Sequence, residues 1–265
     1  MKKIYTLTIL LLLLAGSPSL AQTNDPAQIK TPQPLFQALP SPDLAQPSFS
    51  RPLWYIGVGG NFNSTWIINQ NTYTEPKLTS VFTPGFAGNF NLGLEYSKHF
   101  GFKAELGIAF MGQKYTGTQY DLPVSRNIKL NYLVLPLLLK YRTTCGIVKF
   151  YLAAGPELGI LLSATQTYLR NGVDAPPLES SDHGTIDVSK HDIRDRYNGA
   201  DGSARFDFGV ELVPFDHFMI VIGESTLFDI TDLNKYSWRF VDANGRYGIS
   251  HDFYTGVNVG FNFMF

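Results

Sequence analysis

Nine charged residues interrupt otherwise apolar or glycine-rich segments: Glu95, Lys103, Glu105, Lys140, Lys149, Glu157, Arg205, Asp207 and Glu211. Carboxylates and cations brought together in that way can serve as an acid/base pair, line an ion path, or neutralise one another in a structural network. Nothing in their spacing singles out a catalytic pair. The HExxH, GxSxG and CxxC patterns do not occur, so zinc-hydrolase and serine-esterase chemistry has no local support. A second group, Asp182, His183, Asp187, His191, Asp192 and Asp195, has ligand types that calcium or a transition metal would take, yet it lacks EF-hand spacing and reads as a solvated acidic loop. Cys145 is the single cysteine, which excludes an intramolecular disulfide. The expectation is therefore no catalytic residue, no cofactor and no metal, with the nine charges pairing inside a structure built from strands.

The strands are read from residue parity, because successive side chains of a strand face opposite sides. Eight segments from Leu53 onward alternate with period two, at about 53–66, 82–96, 100–112, 128–141, 147–162, 204–213, 217–229 and from 250 to the end. In the last, Val257, Val259, Phe261, Phe263 and Phe265 oppose Gly256, Asn258, Gly260, Asn262 and Met264. The seventh is ambiguous, since Met219 to Ile222 is continuously apolar. All nine charges fall on the face that also carries nearly all the strand glycines, and the opposite face is apolar and uncharged.

Composition agrees with strands in a bilayer. The chain is 44% hydrophobic and 14% aromatic but only 16% charged, below the quarter or so usual for soluble domains, and no apolar stretch after Leu14 is long enough for a membrane helix. A formal net charge of -1 gives no argument for nucleic acid, and no nucleic-acid partner is expected. Met1, Lys2 and Lys3, the apolar run Ile4 to Leu14 and the small residues before Gln22 read as a signal peptide, residues 1–21, cleaved between Ala21 and Gln22. Residues 22–52 hold seven prolines and read as a linker in the periplasm.

Three connections read as short (97–101, 142–146, 214–216) and four as long (67–81, 113–127, 163–203, 230–249). This alternation matches bacterial outer-membrane barrels with periplasmic turns and extended outer loops. The expected fold is all-β: an eight-stranded antiparallel up-and-down transmembrane β-barrel over residues 53–265 in the cell outer membrane. Its apolar face meets lipid and its small and charged face fills the lumen. Pro136 and Pro156, inside strands, call for a bulge or a gap in the ladder. Trp54, Tyr55, Trp66, Tyr96, Tyr141, Phe253 and Tyr254 are candidates for interfacial girdles.

The segments YLVLPLLLKY, FYLAAGPELGILL, FKAELGIAFMGQKY and STLFDITDL, with the terminal Phe-rich strand, resemble the PorT-like outer-membrane β-barrel proteins of the Bacteroidetes over roughly residues 53–265. Val134 departs from the pattern, where relatives often carry an inward acidic residue. The resemblance implies an eight-stranded barrel and, through its namesake, an accessory role beside type IX secretion machinery. The expected partners are outer-membrane lipid, the barrel-assembly machinery reading Phe261, Phe263 and Phe265, and a periplasmic or secretion-system protein met through residues 22–52. The leading reading is a structural or protein-interaction role. An outer-membrane enzyme or narrow transporter using the lumen or rim, and a soluble lipocalin-like binding barrel, stay open as alternatives.

Overall fold

The structure, a computed structural model, describes residues 52–69, 78–119, 121–143, 146–174, 179–181, 184–186, 189–239 and 246–265. The expected signal segment with Ala21 and Gln22, the linker up to residue 51, Cys145, Asp182, His183 and Asp187 lie outside them. Eight long strands follow in chain order: β1 (Leu53–Ile68), β2 (Pro84–Glu95), β3 (Phe100–Gln119), β4 (Leu122–Arg142), β5 (Val148–Arg170), β6 (Ala200–Phe215), β7 (Phe218–Asp229) and β8 (His251–Met264). Each pairs antiparallel with its neighbour in sequence, β8 pairs with β1, and two short strands, Thr79–Val81 and Val173–Asp174, bring the sheet to ten. The sheet closes on itself. Among the described residues no helix is long and apolar enough to cross a membrane.

The register around the ring has a measurable stagger. Starting at Phe100 on β3, the pairing runs through Tyr141, Leu152, Phe208, Glu224, Val257, Phe62 and Phe86 and returns to β3 at Phe110, ten residues further along. At ~3.3 Å per residue and a strand tilt of about 40°, one circuit climbs about 25 Å along the ring axis.

The faces follow the expected parity. Ile56, Val58, Phe62, Phe86, Phe90, Leu106, Phe150, Leu158 and Phe261 are exposed on the outside, whereas Asn61, Asn91, Glu105, Glu157, Asp207 and Asn262 are buried inside. β7 is resolved by its pairing: Met219, Val221, Ser225 and Leu227 point inward, and Ile222, Glu224 and Phe228 outward. Glu224 corrects the expectation that the outer face carries no charge. Aromatic pairs occur near both edges of the apolar band, with Tyr96–Phe100 and Phe100–Tyr141 at one and Trp66–Phe253 at the other. Tyr55 and Tyr254 do not belong to them, because both rings point inward and are 1% and 2% exposed.

The expected long connection at 113–127 is not a loop. β3 runs to Gln119 and β4 begins at Leu122, the ladder between them continues to the Gln119–Leu122 pair, and Asp121 has φ 59°. Gln113, Tyr115, Val124, Arg126 and Ile128 remain buried inside while Lys114 and Lys129 face out. Inward burial with polar residues outside is the pattern of a strand in water, and it begins where the apolar band ends. For the same reason β5 extends past residue 162, after a bulge at Leu162 that shifts its register against Asn131 and Tyr132.

The prolines interrupt pairing without shifting register. The β3–β4 ladder is broken between Ala104–Leu137 and Gly107–Val134, opposite Pro136, and the β4–β5 ladder between Pro136–Glu157 and Leu139–Ala154, opposite Pro156. The backbones stay close there. A Cβ on Gly155 would lie 2.0 Å from the Leu137 carbonyl oxygen, while one on Gly88 would meet nothing within 4 Å. Gly155→Ala is therefore expected to destabilise the closed sheet by about 1–3 kcal/mol through overpacking and Gly88→Ala to leave it unchanged; urea unfolding in lipid vesicles compares the two.

Candidate functional site

The inward positions of β2–β6 bring the sequence-predicted charges together in two tiers. In the first, near the short turns, Lys140 Nζ pairs with Glu95 Oε1 and lies 2.6 Å from Glu211 Oε1. Arg142 Nε and Nη1 lie 3.5 and 3.6 Å from the second oxygens of the same two carboxylates, and Lys140 also reaches the Tyr55 hydroxyl at 3.4 Å. Two cations thus face two carboxylates, all within side chains no more than 2% exposed.

The second tier is centred on Arg205. Its guanidinium lies 2.9 Å from Asp207 Oδ1, 2.9 Å from Glu105 Oε2 and 3.4 Å from Glu157 Oε2. Lys103 pairs with Glu105 and stands 3.6 Å from Asp207. Ser225 accepts from Arg205 Nη2 at 3.4 Å and from Asn258 Nδ2 at 2.8 Å, which ties the tier to β7 and β8. Fixing the guanidinium on three carboxylates spends its donors in a fixed fork geometry.

Eight of the nine expected residues are in these tiers. Lys149 is the exception: it is partly exposed at the start of β5 and makes no ion pair among the described residues. Arg142 was missed because it was read as the first residue of a turn. It continues the inward parity of Leu138 and Lys140, and one more step of the alternation would have found it.

Apolar side chains close the lumen around the charges. At the turn end Tyr55, Leu138, Met219, Val221 and Met264 pack together. At the other end Ile128, Leu130, Leu161 and Leu227 pack with Ile193, Tyr197 and Leu233 from the connecting segments. A void of about 30 Å³ remains beside Tyr55, Asn91, Lys103, Tyr151 and Asn262, room for a water or two.

The model described as "Outer membrane protein beta-barrel domain" matches residues 44–223. The chain belongs to that family. Membership places the barrel in the cell outer membrane, and the exposed apolar band is its lipid face. Among solved structures it is similar to the Neisserial surface protein A, at 11% identity over 78% of this chain and 95% of that one, TM-score 0.37. It is also similar to the attachment invasion locus protein Ail of Yersinia pestis (12%, 80% and 98%, TM-score 0.34) and to OprG of Pseudomonas aeruginosa (9%, 80% and 95%, TM-score 0.35). No curated protein matches.

The connections opposite the short turns carry a second organised region, centred on Asp232. Its carboxylate accepts the Tyr247 hydroxyl at 2.9 Å and the backbone amides of Asn234 and Ser250, and pairs with Arg239 at 2.7 Å. Asn234 bonds Ser250 at 2.8 Å, Ser250 donates to the Asn69 carbonyl at 2.6 Å, and Asn198, between β5 and β6, donates to the Asp232 and Asn234 carbonyls at 2.6 and 3.2 Å, so three connections are tied together. Burial, with the adjacent Asp232 carboxylate, raises the Tyr247 phenol above its ordinary pKa. Sequence reasoning quoted this aspartate only as part of STLFDITDL and assigned it no role. Of the metal-like group, Asp182, His183 and Asp187 lie outside the described residues; His191 contacts the Gln166 carbonyl, Asp192 caps the Arg194 amide, and Asp195 pairs with Lys190 at 2.9 Å.

Removing the central cation leaves Glu105, Glu157 and Asp207 buried with Lys103 alone. Arg205→Met is expected to cost about 3–5 kcal/mol, the range for breaking a buried ion pair from one side, whereas Lys149→Met is expected to stay within about 0.5 kcal/mol. Chemical denaturation of the barrel in vesicles, followed by tryptophan fluorescence, measures both.

Proposed function

We propose that the chain is an eight-stranded up-and-down transmembrane barrel with a non-conducting lumen, and that it serves as a structural or accessory outer-membrane protein acting through its surfaces. The observation that carries this reading is the lumen itself, where two ionic tiers and two apolar clusters take up the space a solute or substrate would need. The interior carboxylates are engaged with Lys103, Lys140 and Arg205 and do no chemistry in this reading.

In the proposed orientation, the short connections β2–β3, β4–β5 and β6–β7 face the periplasm and the Asp232-centred connections face outward. Residues 22–52 then hang in the periplasm as an arm once residues 1–21 are removed. The YLVLPLLLKY and AAGP elements support assignment to the PorT-like branch, and through it a partner in secretion machinery met by that arm. Phe261 and Phe263 on β8 and Phe265 just after it, all exposed, are the set we assign to recognition by the barrel-assembly machinery.

Two measurements test this. Purified barrel in planar bilayers is expected to give no ion-selective steps, and steps abolished by Glu105→Gln would establish a transport path instead. Crosslinking in cells is expected to join a secretion component to the full chain and to fail when residues 22–50 are removed; neighbours that do not change with the deletion would refute the arm's role.

A further inference from the structure

The lipid face carries one feature that a structural barrel does not need. Glu224 projects outward from β7 between Phe208 on β6 and Val257 on β8, with Ile222 two residues away on the same face. Phe208, Ile222 and Val257 are all exposed apolar side chains. The register gives the depth. Glu224 is the fourth of eight steps on the path from Phe100 to Phe110, so it stands about half-way up a climb of about 25 Å, the height of the apolar band of such barrels.

The carboxylate is held but only partly satisfied. Thr255 Oγ1 donates to Glu224 Oε1 at 2.8 Å, and Thr226 lies 3.0 Å from Thr255, so two hydroxyls on adjacent strands orient the group. A carboxylate has about four acceptor sites. Glu224 makes no ion pair among the described residues. An ionisable side chain kept at this depth on the lipid side marks an interaction, because it is costly there without one.

The candidate occupants differ in what they can supply. Lipid headgroups carry their donors at the surface, about 15 Å from the middle of a hydrocarbon core about 30 Å thick. Among the described residues a second copy of this chain offers no lysine or arginine at this depth: those cations point inward or, like Lys114 and Lys129, lie beyond the apolar band. Backbone donors of any membrane-spanning segment are already used within its own helix or sheet. A basic side chain of another protein supplies both the missing donors and the opposite charge.

We propose that the outer face of β7 and β8 around Glu224 docks, within the membrane, a spanning segment of a different protein that presents a lysine or arginine at mid-bilayer depth. The proposal rests on the transmembrane reading above and adds the chemistry of the partner and the face it meets.

The test places a photo-crosslinking amino acid at Ile222 or Val257, and at Leu135 on β4 as a contrast, in the full chain in cells, and sequences the adducts. The expected result is a protein adduct from Ile222 and Val257 but not Leu135, on a membrane-spanning segment with a lysine or arginine beside the linked residue. Its yield should fall at least about tenfold with Glu224→Gln, as loss of one partner of a desolvated charge pair requires. Should that variant fail to assemble, neutralising the partner's basic residue beside the unaltered barrel must give the same loss. Adducts with lipid alone, adducts with a second copy, or a yield indifferent to both substitutions would overturn the proposal. Heat-modifiable migration and outer-membrane fractionation of the unaltered chain report separately on the transmembrane reading, so the two failures are distinguishable.

Discussion

Closure of the sheet is the constraint from which the other features descend. In hydrocarbon a backbone amide or carbonyl finds no water, so a strand array must return to its first strand or leave an edge unpaired. Here β8 lies against β1 from Tyr55–Met264 to Ile68–His251, and reciprocal bonds between Trp54 and Phe265 extend the seam to its end. The ten-residue stagger of that closure sets the tilt and, with it, the width of the lumen. The width then decides what can fill it: side chains, packed as in a core, with little room left for water.

A lumen filled in this way has to solve an electrostatic problem. Burying a lysine or arginine without a partner is costly, and a buried pair recovers that cost only when geometry and further hydrogen bonds are good. The first tier balances two cations with two carboxylates. The second has two cations for three carboxylates and relies on hydrogen bonding around Arg205, with Ser225 and Asn258 linking it to the next strands. Pro136 stands between Glu105 and Glu157 on the inner face. Interrupted ladders beside it are tolerated because the register on either side continues unchanged.

Most of the wall was legible in the sequence, because one parity rule sorts each strand into a lipid set and a lumen set. The rule became hard to read where its chemical meaning changed. Past Phe110 on β3 and before Leu133 on β4 the outward residues turn polar, so a strand in water looked like a loop. In β7 the inward Met219 and Val221 meet an apolar part of the lumen, so both faces are apolar and the alternation vanishes; Glu224 was hidden by the same ambiguity. The Asp232 region was illegible for a different reason. It joins Asn69, Asn198 and Asp232 with Ser250 from three separate connections, and no local pattern announces contacts of that range.

The inner charges also answer why this sequence settles on one register when apolar strands slide easily. A slip of one residue turns every side chain of a strand to the opposite face. For β6 that slip would carry Arg205, Asp207 and Glu211 into lipid and bring Phe206 and Phe208 into a lumen already full. A basic residue on the lipid face at mid-depth costs about 2–4 kcal/mol, and its abandoned carboxylates would remain buried without it. Glycines narrow the choice further: a Cβ on Gly209 would lie 2.3 Å from the Ile222 carbonyl oxygen, so β6 and β7 approach closely only where that side chain is absent. The tiers thus oppose the alternative pairings more strongly than they stabilise the observed one, which fits a buried ionic network whose net contribution to stability is small and whose contribution to a single register is large.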